Sequence, residues 1–243
     1  MTLSANLPSV FKGRSRILHP VQISLPAGQV LGVIGPNGAG KSTLLRSLAG
    51  IEKLHAHWNG QLLRRDQIGY MPQALQLNAR LSVLEAVLLG KREGLGWRVT
   101  AADLDAASKV LLELGLGHLA GRSMDRLSGG QQQMVLVAQR ILRSPRLLIL
   151  DEPTSALDLH HQLVILRHLR AYARVNDAVV VLALHDLTLA ARFCDQLLLI
   201  DRGKPLANGD CESVLTAGQI AQSWEISPEL LRARDGSWVI VPH

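Results

Sequence analysis

Short apolar runs recur along the chain, and several of them are followed by a turn and then by a helical pattern. The run at 29–34 predicts a buried strand, and three leucines after it share one helix face. Similar runs at 147–150 and 178–184 predict strands that are buried on both faces, with an amphipathic helix at 157–174 between them. Because buried strands alternate with helices, the pattern predicts an α/β fold with a parallel-rich sheet.

Two stretches depart from this alternation. Residues 21–25 alternate between apolar and polar positions, and together with the short apolar runs before them they predict a small antiparallel β part. Residues 74–145 have a helical pattern instead. In it Ser82 begins a capping box, Gly90 is expected to end that helix, and Thr100 begins the next one. An α-helical region is therefore expected to interrupt the strands.

A glycine-rich segment joins the first buried strand to its helix. The segment consists of Gly35, Pro36, Asn37, Gly38, Ala39, Gly40, Lys41, Ser42 and Thr43. It matches G-x-x-x-x-G-K-[ST] in the strand–loop–helix context that this motif requires. Its glycines let backbone N–H groups approach phosphate oxygens, and the helix N-terminus adds partial positive charge. Lys41 would add a full charge and the Ser42 hydroxyl suits Mg²⁺, so the segment predicts a nucleoside triphosphate site, with an ordinary glycine turn as the alternative.

Ionisable side chains follow two of the predicted buried strands. Asp151 and Glu152 come directly after one strand, and His185 follows the next. The carboxyl ends of parallel strands form the edge at which open α/β sheets bind ligands, so we expect these three residues close together. Asp151 can hold Mg²⁺, and Glu152 is placed to polarise a water for attack on a γ-phosphate. The alternatives are solvated carboxylates at a strand end and an ordinary core histidine.

Three further features are less specific when taken alone. A second anion site, or only a helix cap, is predicted at a helix start formed by Ser128, Gly129, Gly130 and Gln131. Phe11 either fills the core or offers its ring to an adenine base. Gln73 follows a short strand, and its surroundings in the sequence alone indicate no more than a loop glutamine.

Composition narrows the classes of protein that fit. The 243 residues are 47% hydrophobic, enough for a packed core, and the net charge is +6. The basic residues are scattered and only 3% of residues are aromatic, which argues against a nucleic-acid groove. Cys194 and Cys211 form no CxxC pair, so a reducing cytosol is expected. We expect no signal peptide, and the longest apolar run is too short to span a bilayer, so a membrane role would require a partner chain.

Taken together, the motifs resemble the nucleotide-binding subunit of an ABC transporter over nearly the whole chain. The segments that carry the resemblance are 35–42 (Walker A), Gln73 (Q-loop), 127–131 (LSGGQ, the signature), 147–152 (Walker B), 155–158 (D-loop) and His185 (switch histidine). LSGGQ upstream of LLILDEPTSALD is the most specific part of the pattern. The resemblance implies an ATPase whose cofactors are ATP and Mg²⁺.

The resemblance also implies roles for single residues. Glu152 would be the catalytic glutamate, and His185 would hold the γ-phosphate and position the attacking water. Gln73 would sense both Mg²⁺ and a membrane partner, and Ser42 and Asp151 would complete the Mg²⁺ site. In a head-to-tail homodimer, the segment 128–131 of each copy would bind the ATP held by the Walker motifs of the other.

The architecture implied by the resemblance is a single ABC ATPase domain, 1–243. It would comprise a RecA-like P-loop core at about 1–73 and 146–215, a helical subdomain at about 74–145, and a C-terminal segment at about 216–243. Transmembrane permease subunits would be its partners, with a substrate-binding protein acting indirectly and no nucleic acid involved. The chain would lie on the cytoplasmic face of the cell membrane as a peripheral subunit.

Within the family, the segments 157–162 and 185–190 are similar to the cassettes of iron–siderophore, haem and vitamin B12 importers. The expected cargo is therefore a ferric siderophore or a related metal chelate. A zinc or manganese importer and a soluble ABC ATPase acting on nucleic acid or ribosomes are the alternatives. Three features depart from the family pattern: Gln132 and Met134 replace frequent arginines, Phe11 lies near the position of an adenine-stacking tyrosine, and the stretch 50–70 is short for an antiparallel subdomain.

Overall fold

The computed structural model describes residues 1–51, 53–73, 80–91, 99–234 and 236–243. The strands are β1 (Thr2–Leu7), β2 (Val10–Lys12), β3 (Ser15–Leu18), β4 (Val21–Pro26), β5 (Val30–Ile34), β6 (Ala56–Trp58), β7 (Gln61–Leu62), β8 (Ile68–Met71), β9 (Leu147–Asp151), β10 (Val179–Ala183), β11 (Gln196–Asp201), β12 (Lys204–Gly209), β13 (Pro228–Arg232) and β14 (Trp238–Pro242). The helices are α1 (Lys41–Leu48), α2 (Val83–Leu88), α3 (Ala101–Glu113), α4 (Gly129–Leu142), α5 (Leu159–Val175), α6 (Leu187–Phe193), α7 (Cys211–Val214) and α8 (Ala217–Trp224).

A six-stranded sheet in the order β12-β11-β5-β10-β9-β8 forms the centre of the protein. Its strands are parallel except for β12, which forms a hairpin with β11. Strands β5, β9 and β10 are buried along their whole length, as their continuous apolar runs require. Ala183 pairs with both Val33 and Asp151, so the three strands end at one edge of the sheet. This confirms the predicted α/β fold with a parallel-rich sheet.

A four-stranded antiparallel sheet in the order β4-β1-β6-β7 faces the central sheet across α1. Leu44, Leu45 and Leu48 of α1 are fully buried between the two sheets, in one cluster with Leu3 of β1 and Ile149 of β9. The expected antiparallel part is therefore present. The described residues of the short stretch at 50–70 supply β6 and β7 to it. Strand β1, which sequence analysis did not identify, completes the sheet by pairing with both β4 and β6.

Helices α2, α3 and α4 pack against one another on the other side of the central sheet. Helices α2 and α3 begin at Ser82 and Thr100 as predicted. Both starts are capping boxes, as predicted for Ser82. The prediction that α2 ends at Gly90 is confirmed in position, because Leu89 is the C-cap and Gly90 follows it, but Gly90 does not adopt a left-handed backbone. Helix α2 ends at Leu88, and Gly90 lies in a 3-10 turn beside α4, where an added Cβ would meet the Gln139 carbonyl oxygen at 2.2 Å. Close packing explains this glycine. The parts of the expected helical subdomain at 74–79 and 92–98 lie outside the described residues.

The C-terminal segment, for which the sequence suggested no structure, forms α8 and a β13–β14 hairpin. The hairpin lies against α6, where the Ile240 N–H donates to the Thr188 hydroxyl at 3.2 Å. Inside the hairpin, the Arg232 guanidinium stacks 3.8 Å from the centre of the Trp238 ring. In the described part of the chain, no helix is both long enough and apolar enough to span a membrane.

Candidate nucleotide site

The glycine-rich loop leaves β5 and enters α1 at the edge where the central strands end. Gly35, Gly38 and Gly40 have φ values of 150°, 78° and 104°, a region that other residues rarely adopt. A Cβ added at Gly35 would lie 2.0 Å from the Ile200 carbonyl oxygen, so the loop also needs glycine for its close approach to β11. Gly40 caps α1 without a side-chain hydrogen bond, which leaves the first N–H groups of the helix available to an anion.

Lys41 is buried at the base of this loop. Its Nζ donates to the Gly35 and Pro36 carbonyl oxygens at 2.8 Å and 3.0 Å. Burial lowers the pKa of Lys41, and the negative charges of Glu152 and Asp151 oppose that shift. The loop therefore holds a positive charge under its own backbone, opposite two carboxylates.

Asp151 ends β9 with only 2% of its surface exposed. Burial raises the pKa of its carboxyl group, and a hydrogen bond with the Ser42 side chain acts in the opposite direction. Its Oδ1 atom is buried and has no hydrogen-bond partner among the described residues. A buried oxygen without a partner, next to a hydroxyl oxygen, fits a hard cation such as Mg²⁺, which prefers oxygen ligands.

Glu152 lies at the centre of a polar cluster. Its carboxylate accepts a hydrogen bond from Gln73 Nε2 at 2.8 Å through Oε2, and Oε1 pairs with His185 Nε2. The backbone of Glu152 is left-handed, with φ at 53°, which is uncommon for a residue with a side chain. The structure thus brings together Gln73, Glu152 and His185, although they come from three separate parts of the sequence.

The loop and the cluster around Glu152 open onto a cavity of about 440 Å³. It is lined by the loop residues 37–43 together with Ile17, Gln73, Glu152 and His185. Phe11 lines a neighbouring cavity of about 610 Å³ that shares Ile17 and Thr43 with the first. Phe11 is 55% exposed, so it does not fill the core, while its contact with adenine stays a prediction.

The segment 128–131 does not line this cavity within the same chain. Ser128 caps α4: its Oγ accepts from the Gln131 N–H at 3.3 Å, and Gln131 Oε1 accepts from the Ser128 N–H at 3.2 Å. Gly129 is exposed, and a Cβ added to it would meet no atom within 4 Å. The start of α4 therefore presents its open side to solvent, apart from the other predicted site residues.

Sequence reasoning missed one residue next to the site, Gln133 on α4. Its Nε2 donates to the Glu152 carbonyl oxygen at 2.7 Å, and its Oε1 accepts from the Ala156 N–H at 3.2 Å. Its neighbour Gln132, where the family often has arginine, donates from Nε2 to the Met124 carbonyl oxygen at 2.9 Å. No local signal distinguishes these two glutamines, because their partners lie in segments that only the fold brings close.

Known proteins resemble this chain over nearly its whole length. The family model described as ABC transporter matches residues 18–155. The hemin import ATP-binding protein HmuV of Bordetella avium is 38% identical over an alignment of 249 positions, which covers 95% of both chains. The cobalamin import ATP-binding protein BtuD of Halobacterium salinarum is 35% identical over 237 residues, covering 93% of this chain and 59% of that protein.

Solved structures support the same assignment. A transporter described as metal-chelate type, in an inward-facing conformation, matches with a TM-score of 0.85 and 28% identity over 100% of this chain and 97% of the other. An ATP-binding cassette in its ADP conformation shares the fold, with a TM-score of 0.77 and 23% identity over 93% of this chain and 97% of the other. The glycine-rich loop, the buried carboxylates and these similarities together show that the chain belongs to the ATP-binding proteins of the ABC transporter family, and that it is an ATPase.

Proposed function

We propose that this chain is the ATP-hydrolysing subunit of an importer for a metal chelate, such as hemin, a cobalamin or a ferric siderophore. The observation that carries the proposal is the full-length similarity to a hemin import ATP-binding protein. The similarity to a cobalamin import protein and to a metal-chelate type transporter supports the same class of cargo. A zinc or manganese importer remains the second candidate, since the ATPase subunit does not itself contact the cargo.

The site residues take the following roles in this proposal. Backbone N–H groups of the loop 35–43 and the Lys41 ammonium group bind the phosphates, and Phe11 stacks on the adenine ring. Ser42, Asp151 and Gln73 hold Mg²⁺, which when bound neutralises phosphate charge. Glu152 orients and polarises the attacking water, and His185 positions the γ-phosphate. The cluster of Gln73, Glu152 and His185 at the cavity supports this division of roles.

A second copy of the chain completes the site in this proposal. The cavity over the loop 37–43 is also lined by Gln73, Glu152 and His185, and the segment 128–131 of the same chain does not line it. The exposed Gly129 and the helix cap at Ser128 form a surface that can accept a phosphate from a facing chain. ATP would then stabilise a head-to-tail homodimer, and hydrolysis would allow it to open.

The remaining partners are transmembrane permease subunits, with the substrate-binding protein acting through them. The chain would lie on the cytoplasmic face of the membrane, with a core at about 1–73 and 146–215 and a helical subdomain at about 74–145. Gln73 supports this coupling route, because it contacts Glu152 and comes before α2 in the chain. We expect no nucleic-acid partner.

The test is reconstitution of the complete transporter. The chain would be purified with the permease encoded beside its gene, placed in liposomes, and assayed for ATPase activity with the cognate binding protein. Loading the binding protein with hemin, a cobalamin, a ferric siderophore or Zn²⁺ distinguishes the candidates. Stimulation and vesicle uptake with one of the chelates supports the proposal, whereas stimulation by Zn²⁺ alone, or by no cargo of this set, contradicts it.

A further inference from the structure

We propose that Gln133 is a positioning residue for ATP hydrolysis. Its side-chain amide holds the left-handed backbone of Glu152, and thereby sets the direction in which the Glu152 carboxylate points. The inference rests on the role proposed above for Glu152. It adds a residue on a different helix, which touches neither the phosphates nor the water itself.

Both ends of the Gln133 amide are engaged in the structure. Nε2 donates to the Glu152 carbonyl oxygen at 2.7 Å, and Oε1 accepts from the Ala156 N–H at 3.2 Å. The side chain thus joins α4 to both sides of the turn that follows β9. A primary amide is suited to this task, because it carries a donor and an acceptor on one rigid plane.

The Glu152 backbone needs such support. A left-handed residue with a side chain persists only where its surroundings hold it, and here φ is 53°. The Glu152 carbonyl oxygen also accepts from the Ser155 Oγ and N–H at 3.1 Å and 3.3 Å, both within the same turn. Of the hydrogen bonds described at this carbonyl, the one from Gln133 is the one that ties it to another element.

A change of backbone angle at Glu152 would redirect its side chain. The carboxylate is held between Gln73 and His185, so a rotation of the Glu152 peptide would pull it away from both. Displacement of a catalytic group by about 1 Å is enough to lower the rate of a reaction by about a hundred-fold. Gln133 can therefore affect hydrolysis without any contact with ATP.

The same contact makes α4 and the turn after β9 move as one unit. A Cβ added at Gly130, in the first turn of α4, would meet the Ala156 carbonyl oxygen at 2.7 Å. The start of α4 is thus packed directly on the turn whose other end Gln133 holds. A displacement of α4 would be transmitted to Glu152 through this contact and the Gln133 amide.

Two substitutions test the inference, with a matched control on the same helix. Gln133→Glu keeps the acceptor for Ala156 but replaces the donor to Glu152 with a repelling oxygen, and Gln133→Met removes both hydrogen bonds. Gln132→Met removes the equivalent amide-to-carbonyl hydrogen bond, which goes to Met124 instead. Steady-state ATPase assays give kcat and the KM for ATP, and thermal unfolding gives Tm.

We expect kcat to fall about ten-fold or more in both Gln133 variants, with the KM for ATP and Tm nearly unchanged. The Gln132 variant should keep the kcat of the wild type within about two-fold. A normal kcat in Gln133→Glu would overturn the inference, and so would an equal loss in Gln132→Met. Glu152→Gln is measured in parallel, so that failure of the Gln133 inference can be distinguished from failure of the role proposed for Glu152. Normal ATP hydrolysis in Glu152→Gln would contradict the proposed role of Glu152 as well.

Discussion

At the scale of single residues, the proposed function assigns separate tasks to Lys41 and Glu152, which line one cavity. Lys41→Ala removes the buried positive charge that faces Asp151 and Glu152, so these carboxylates would repel the phosphates. We expect ATP affinity to fall at least about ten-fold. Glu152→Gln keeps the shape of the side chain but removes the base, so ATP should still bind while hydrolysis falls about a hundred-fold or more.

Binding of a fluorescent ATP analogue and release of phosphate measure the two effects separately. Asp125→Asn serves as a control for the general effect of removing an acidic charge, because Asp125 is exposed and does not line the site cavity. An unchanged hydrolysis rate in Glu152→Gln would remove the role assigned to that residue. If Lys41→Ala retained the ATP affinity of the wild type, the phosphate-binding role assigned to Lys41 would be contradicted.

The residues of the site differ in how far the sequence alone predicts them. The loop from Gly35 to Ser42 forms a continuous motif, and Asp151, Glu152 and His185 follow apolar runs that end at the same sheet edge. Gln133 could not be predicted in this way. Its hydrogen bonds depend on the packing of α4 against the turn after β9, and that packing is a property of the folded chain.

At the scale of elements, local signals predict helix starts better than they predict the strands of the antiparallel sheet. Ser82 caps α2 as predicted, since its capping box is formed by residues only three positions apart. Strand β1 was missed, although Leu3, Ala5 and Leu7 are buried on one face, because its pattern is short and its partner β4 lies beyond two other strands. The close approach that requires a glycine at position 90 was not predicted, because its partner, Gln139, belongs to a different helix.

The stability that the first turn of α3 contributes to the fold should depend on pH. Asp103 accepts hydrogen bonds from Lys91 Nζ at 2.7 Å and from Thr100, and these hold its pKa at about 2, below the ordinary value of 3.8. Because the pKa is lower in the folded state, the carboxylate stabilises the fold above about pH 4, and this contribution is lost as the pH falls toward 2.

Asp103→Asn removes this contribution at neutral pH. We expect its Tm at pH 7 to be a few degrees below that of the wild type, and the difference to shrink as the pH is lowered through 4 toward 3. Asp105→Asn on the same helix is the control, since Asp105 is exposed. A Tm difference that stays constant between pH 7 and 3 would show that the ion pair with Lys91 does not stabilise α3.

At the scale of the whole molecule, the fold places the two segments to which the proposed function assigns ATP binding on separate surfaces. The glycine-rich loop, Asp151 and His185 meet at the edge of the central sheet, whereas Gly129 lies at the exposed start of α4. A single chain therefore cannot close its own cavity with its own signature segment in this conformation. The closure by a second copy proposed above would account for both the open cavity and the free space at Gly129.

This arrangement predicts that one substitution weakens the dimer but leaves the folded monomer intact. Gly129→Asp adds a carboxylate where a Cβ meets no atom within 4 Å, at the first turn of a helix, so the folded monomer should not be destabilised. The same charge would face the terminal phosphate of ATP held by a partner copy. Like charges brought together at an interface should weaken ATP-dependent dimerisation at least about a hundred-fold.

The experiment uses Glu152→Gln as the background, since that variant should retain ATP and keep the dimer closed. Size-exclusion chromatography with light scattering, in ATP and Mg²⁺, should give a dimer for this background and a monomer when Gly129→Asp is added. Gly121→Asp is the matched control, because Gly121 is also exposed with no atom within 4 Å of an added Cβ, and it should still dimerise. A dimer that persists with Gly129→Asp would mean that the signature segment does not contact the partner's ATP.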